Sequence, residues 1–211
     1  MNIATMTTKQ WYRALLEDKL LMTEDSEDSP AALIPIKIES LHPTTDWALV
    51  WQSARLKGVG SELISFVFKM THRLLPSQDR VARLRLAEDQ AGLCLLCRLE
   101  VETLSHCFFE CPMNMQVGLA LLGCVQRLVP DLSPEAAVRL DFGISLSEED
   151  NLAAVCILST GLKYIWETRV AKKVVMKYKM RAEVEARVSI LRRTRFQLGA
   201  SKIAGLLDML S

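Results

Sequence analysis

Four residues within one stretch of eighteen constrain this chain more than anything else in it. Cys94, Cys97, His106 and Cys111 follow the spacing C-x2-C-x8-H-x4-C in CLLCRLEVETLSHCFFEC. Two thiolates two residues apart can wrap a tight turn around one ion, and a histidine and a cysteine on the next segment complete a tetrahedron. Zinc favours this mixture of sulfur and nitrogen, and four protein ligands leave no open coordination position. Such a closed site is structural rather than catalytic. Cys107 adjoins His106 and competes with it as the third ligand, although a helical turn points neighbours to different faces. Two rival readings stand beside zinc. Cysteine is often buried for packing alone. A redox Cys94–Cys97 pair is the other, but that motif belongs after a strand in a βαβ setting, which nothing in this sequence resembles.

The other cysteines bear on the compartment. Six cysteines could form three disulfides, but the N-terminus has no basic start followed by an apolar core. A reducing, intracellular compartment, nuclear or cytoplasmic, is therefore expected, with thiols free or on metal. Cys124 and Cys156 fall on apolar helix faces and are expected in the core; His42 and His72 are expected in loop, capping or solvated positions. No apolar run approaches the roughly 18–20 residues needed to cross a bilayer, so no membrane partner is expected.

Helix-forming residues dominate the chain. Half of its 211 residues are hydrophobic, aromatics make up 6%, and there are only 9 Gly and 7 Pro. A helix is expected over 8–22, followed by an acidic linker, TEDSEDSP, and an extended connector over 33–45. From Asp46 the pattern tightens. Asp46 reads as an N-cap with Gly58 as a stop, a second helix opens at Ser61 and ends before Pro76, and a third carries Val81 among Arg80, Arg83 and Arg85. Thr103 caps a short helix holding His106, with Cys111 at its end and Phe108 and Phe109 free to anchor the clip on the helices before it. Pro112 opens a helix with Leu119, Leu122, Val125 and Leu128 aligned. Ser133 caps a further short helix. The longest signal starts at Ser147, with a buried stripe of Leu152, Val155, Leu158, Leu162, Ile165 and Trp166. It continues into a basic helix bent near Gly161 or between Met180 and Glu183.

The formal net charge of +1 hides a strong polarity. Residues 17–28 carry six carboxylates against Lys19, whereas residues 163–202 carry twelve Lys or Arg against three glutamates. A surplus of that size can meet phosphates. Its densest part is Lys172, Lys173, Lys177 and Lys179 with Tyr178; Arg192, Arg193 and Arg195 with Phe196 form a second cluster. Aromatic rings beside such cations can stack on unpaired bases. The competing reading is a solvated helix face with intrahelical ion pairs. The sequence shows no nucleophile with a base partner, no phosphate-cradling Gly loop and no paired-carboxylate arrangement, so no catalytic residue is assigned.

FVFKMTHRLLPSQDRVARL, CLLC and ETLSHCFFECP together resemble the zinc-binding region at the C-terminal end of non-LTR (LINE-type) retrotransposon reverse transcriptases. The matching pieces are Phe68-Lys69, His72, Leu75-Pro76, Arg80, Cys94, Cys97, Glu102-Thr103, His106, Phe109 and Cys111-Pro112. The resemblance implies zinc-stabilised binding of RNA or DNA beside a polymerase. No polymerase aspartates in a Y/F-x-D-D setting and no endonuclease module accompany it, so the expected activity is noncatalytic. A separated C-terminal piece, a decayed copy and a host gene derived from one all fit, as does a scaffold in which zinc only holds helices together.

The expected fold is all-α, with a small zinc knuckle of three cysteines and one histidine and a long basic C-terminal helix. Three regions are expected: a loosely attached 1–45, a helical zinc-binding domain over 46–130, and basic C-terminal helices over 131–211.

Overall fold

The computed structural model describes residues 44–54, 60–83, 92–193 and 197–207. The described residues contain eight α-helices: α1 Trp47–Ala54, α2 Ser61–Thr71, α3 Gln78–Arg83, α4 Met115–Gln126, α5 Pro134–Arg139, α6 Glu148–Val170, α7 Lys177–Leu191 and α8 Gln197–Leu207. One π-helical turn, His106–Glu110, precedes α4. The only strand-like pairing among the described residues is one antiparallel bridge, Leu93 with Val101. The chain is therefore all-α with a small cysteine-bearing knuckle set between helices. The expected helix over 8–22, its linker, Gly58, Arg85, Arg195 and Phe196 lie outside the described residues, as does all of 1–45 except Thr44 and Thr45.

Local signals start several helices where they were read. The Asp46 carboxylate accepts the Leu49 N–H at 3.1 Å, the Ser133 hydroxyl accepts that of Ala136 at 3.2 Å, and Ser147 accepts that of Asp150 at 3.1 Å. Each satisfies a donor that the first helical turn leaves without an intrahelical partner. His72 is the C-cap of α2, its backbone N–H donating to Phe68 and Met70 carbonyls. Its ring stacks on Trp51, 4.9 Å between centroids, and so ties α1 to α2.

α6 is the axis of the fold. The sequence suggested one apolar stripe, and that stripe is buried, but so is every other residue from 152 to 162. A helix buried all round belongs to the centre of a core. α2, α4, α7 and α8 pack against it, and Lys202 of α8 forms an ion pair with Asp150 in its first turn. One hydrophobic core extends from Leu63 to Leu207, on both sides of residue 130.

The structure corrects four local expectations. α6 does not bend at Gly161; there the missing side chain makes room for Leu121, whose methyls would lie 2.6 Å from an added Cβ. Nor is there a bend between Met180 and Glu183, which lie inside α7. The helix instead breaks over 171–176, where Lys172 takes a left-handed backbone with φ 53°. Leu119 faces solvent, and α4 buries Val117, Gly118, Leu121, Leu122, Cys124 and Val125 instead. Finally, Phe108 and Phe109 pack chiefly against the helices that follow the knuckle, with Phe108 6.4 Å from Trp166 of α6.

Gly118 sets how closely α4 approaches the π turn. A Cβ there would stand 1.9 Å from the Phe108 carbonyl oxygen, a backbone atom that cannot rotate away. Gly118→Ala is expected to destabilise the protein by about 1–3 kcal/mol, the usual range for overpacking. A lowered urea midpoint at constant slope is the readout, and an unchanged midpoint would show that α4 can shift off the turn at no cost.

Candidate metal centre

The knuckle begins as a tight reversal. The Cys94 N–H donates to the Glu100 carbonyl at 2.8 Å, and the Glu102 N–H returns to the Gly92 carbonyl at 2.8 Å. Inside this loop the Leu96 N–H points at the Cys94 sulfur, 3.4 Å away. Arg98 adopts a left-handed backbone, φ 56°, so that the chain can turn back immediately after Cys97. This loop supplies the first two candidate ligands.

The second pair comes from the π turn. On a regular α-helix, residues five apart are separated by about 140° around the axis, so His106 and Cys111 would not face one ion. The structure solves this with a wider turn, in which the Cys111 N–H donates to the His106 carbonyl at 2.7 Å, and with an extended backbone at Cys111. Thr103 caps the segment as expected, its hydroxyl accepting the His106 N–H at 3.0 Å. π turns are uncommon and recur at functional sites.

All four candidates meet: one ligand atom each from Cys94, Cys97, His106 and Cys111 lies within 4.8 Å of the others. The Cys94 and Cys111 sulfurs are 3.8 Å apart, and the Cys97 sulfur is 3.4 Å from His106 Nε2. Zinc–sulfur bonds of about 2.3 Å and zinc–nitrogen bonds of about 2.0 Å imply tetrahedral edges of about 3.8 and 3.5 Å. The donor set and its spacing therefore fit zinc. His106, and not Cys107, joins the cluster. Cys107 is fully buried, and burial raises its thiol pKa. Cys124 and Cys156 are likewise buried in the core. On the far side of the imidazole, Glu100 Oε2 lies 3.3 Å from Nδ1, within ion-pair distance though not aligned as a hydrogen bond. A carboxylate behind a ligating histidine is a common orienting arrangement.

The electrostatics of the sulfurs differ. Burial pushes the Cys94 thiol up to about 12 and raises that of Cys111. Burial also works to raise Cys97, but the Leu99 and Glu100 backbone and the His106 side chain outweigh it and bring it down to about 7. Cys97 is thus the sulfur closest to ionising by itself. The other two need a cation beside them.

Glu102 joins this centre to the core. It is fully buried, and its carboxylate accepts the Gln78 N–H at 3.0 Å and the Leu95 N–H at 3.1 Å. Arg169, on the last turn of α6 and also buried, donates to both of its oxygens, with Nε 3.2 Å from Oε2. The Arg169 guanidinium lies over the Trp166 ring, 4.4 Å from its centroid. One carboxylate therefore ties together the cysteine loop, α3 and α6. In the sequence Glu102 stood only as part of a motif and Arg169 only as one of many cations. The signal that could have found the pair is register: Leu162, Ile165, Trp166 and Arg169 share one helical face, so Arg169 continues the buried stripe.

The expected basic residues divide. Lys172, Lys173, Lys179, Arg192 and Arg193 are exposed, Lys177 is half-buried, and Arg195 lies outside the described residues. Tyr178 is 67% exposed, with Lys179 Nζ 5.9 Å from its ring centroid. Among the described residues no helix is long and apolar enough to cross a membrane.

No curated protein and no solved structure matches the chain. A family match is found over residues 36–117, less than half of the chain, to the domain described as zinc-binding in reverse transcriptase; it is to the zinc-binding domain and not to a polymerase. The matched segment contains all four clustered residues and Glu102. Over residues 36–117 the chain is similar to the zinc-binding domain found in reverse transcriptases.

Proposed function

We propose that the chain is a noncatalytic, retrotransposon-derived module in which Cys94, Cys97, His106 and Cys111 hold one zinc ion and a basic surface binds RNA or DNA. The zinc-binding part over 46–130 and the basic part over 131–211 work on a shared core, so the metal fixes the scaffold that presents the cations. The observation that carries the nucleic-acid reading is the α6–α7 connection. Lys172 and Lys173 project from the break in the helix, and Lys179 and the Tyr178 ring stand exposed one turn further on. Two of the three glutamates in this region are engaged elsewhere, Glu167 by Lys163 and Glu185 by Arg181. Cations around an exposed ring suit a single strand, whose backbone and unpaired bases offer one partner to each.

Reversing Lys172, Lys173 and Lys179 to Glu is expected to weaken single-stranded RNA binding at least tenfold. It should also flatten the salt dependence by about two units of slope, at roughly 0.7 for each phosphate no longer neutralised. Helicity and bound zinc should not change, because the three side chains are exposed. Equal affinity in the variant would place the binding surface elsewhere.

Val170, Val174 and Met176 are exposed in the same connection, which favours a second reading: a protein-docking scaffold. That reading expects stoichiometric zinc without salt-sensitive nucleic-acid binding.

A further inference from the structure

A pocket of about 380 Å³ lies between the knuckle, the end of α2, α3 and α5. That volume falls within the roughly 300–1,000 Å³ typical of small-ligand sites. Arg73, Arg80 and Arg139 stand in its wall. We propose that it receives the phosphate of a nucleotide unit, with Arg139 as the principal donor. Where that unit belongs to a bound strand, the proposal rests on the nucleic-acid reading above.

Arg139 carries the argument. Its Nε is buried and has no hydrogen-bond partner among the described residues. The residue as a whole is half-buried; a buried donor left without a partner is costly, so an anion arriving there gains what folding left unmet. A guanidinium fork matches two phosphate oxygens at once. Around it, Arg80 Nη1 donates to the Arg73 carbonyl, which fixes the α3 arginine against the end of α2. Ser105 and Thr103 line the same wall and bring hydroxyls to it.

Three carboxylates, Asp79, Glu110 and Glu135, share the lining with the three arginines. Asp79 accepts the Ser77 hydroxyl at 2.5 Å. Glu110 and Glu135 are exposed at the rim, where water screens them and they can turn outward. The pocket exceeds what a bare phosphate fills, and Met70, Leu104 and Val138 give it an apolar side. A phosphate carrying a sugar and base suits that combination better than an inorganic anion.

The pocket is also built by the metal centre. Thr103 and Ser105 precede His106, and Glu110 precedes Cys111. The α3 wall begins at Gln78, whose N–H is held by Glu102. Ligand affinity should therefore follow the order of the knuckle.

The test uses the zinc-loaded full chain, with adenosine monophosphate and a short single-stranded RNA as probes. Nitrogen-15 NMR follows the Arg139 Nε–H resonance, identified by its absence from Arg139→Gln. Titration with the monophosphate, or with the strand, is expected to shift that resonance. Arg139→Gln should weaken binding roughly tenfold at unchanged zinc content and helicity, the loss of about one charge-assisted hydrogen bond. Arg139→Lys, which keeps the charge and loses the fork, should recover only part of it. A resonance that neither probe moves, or equal binding by Arg139→Gln, would overturn the proposal, and inorganic phosphate matching the monophosphate would overturn its nucleotide part. The two readings can fail separately. A strand that binds through Lys172 and Lys173 and leaves Arg139 unmoved sinks the pocket alone. A chain that binds the monophosphate through Arg139 but no strand sinks the nucleic-acid reading alone.

Discussion

Replacing Glu102 by alanine is expected to cost about 3–5 kcal/mol, the usual penalty for stripping one partner from a buried ion pair. The substitution leaves the Arg169 guanidinium buried, with the Pro76 carbonyl at 3.4 Å and the Trp166 ring for company. It also leaves the Gln78 and Leu95 N–H groups without their acceptor. Domains of ordinary stability have about 5–15 kcal/mol in total, so this is a large fraction of it. Arg169→Met should cost less, because the carboxylate keeps its two backbone donors. Urea unfolding measures both, and the asymmetry between them is the specific expectation. The Leu95 N–H sits inside the cysteine loop, so Glu102→Ala should also weaken zinc binding. A loss below about 1 kcal/mol, in the range of an exposed pair, would show that the pair does not join knuckle and core.

The second large effect is expected at the ligands. Cys97→Ser changes one atom and almost no volume, so packing loss alone predicts little. If Cys97 is a zinc ligand, the variant instead releases the metal and unfolds the helices that share the core with the knuckle. The apparent binding energy of structural zinc sites, about 10–16 kcal/mol near neutral pH, rivals the stability of a whole domain. Cys107→Ser is the matched control: Cys107 is buried one residue from His106 but stands outside the cluster, and its variant should keep the metal. Metal content by atomic absorption and helicity by circular dichroism read both variants. Metal loss from Cys107→Ser with retention in Cys97→Ser would reverse the ligand assignment. The pH dependence has a definite sign. Burial raises Cys94 and Cys111, so in the absence of a cation both are protonated at neutral pH, and binding must expel those protons. Affinity should therefore rise with pH and fall on acidification.

The sequence made the cysteine cluster legible because ligand chemistry acts through residue type and spacing, and both survive in the linear chain. Helix starts at Asp46, Ser133 and Ser147 were legible for the same reason: a cap is a contact three residues long. The rest was settled by tertiary packing. Leu119 matched a helical stripe and ended in solvent, because the stripe on α4 was chosen by the position of the π turn and α6. α6 read as amphipathic and proved to be the buried axis, since Ala153, Ala154 and Ser159 look neutral until neighbours close on them from every side. The π turn itself left no signature, although it explains why a histidine and a cysteine five residues apart can share an ion. The Glu102–Arg169 pair spans 67 residues, and no local pattern announces a partner at that distance.

Whether one zinc ion organises these helices is measured directly by metal content followed by chelation of the purified chain. One equivalent of zinc per chain, and a cooperative loss of helical circular dichroism as a chelator removes it, is the expected result. Less than one equivalent after gentle purification, or an unchanged spectrum after the metal is stripped, would contradict it.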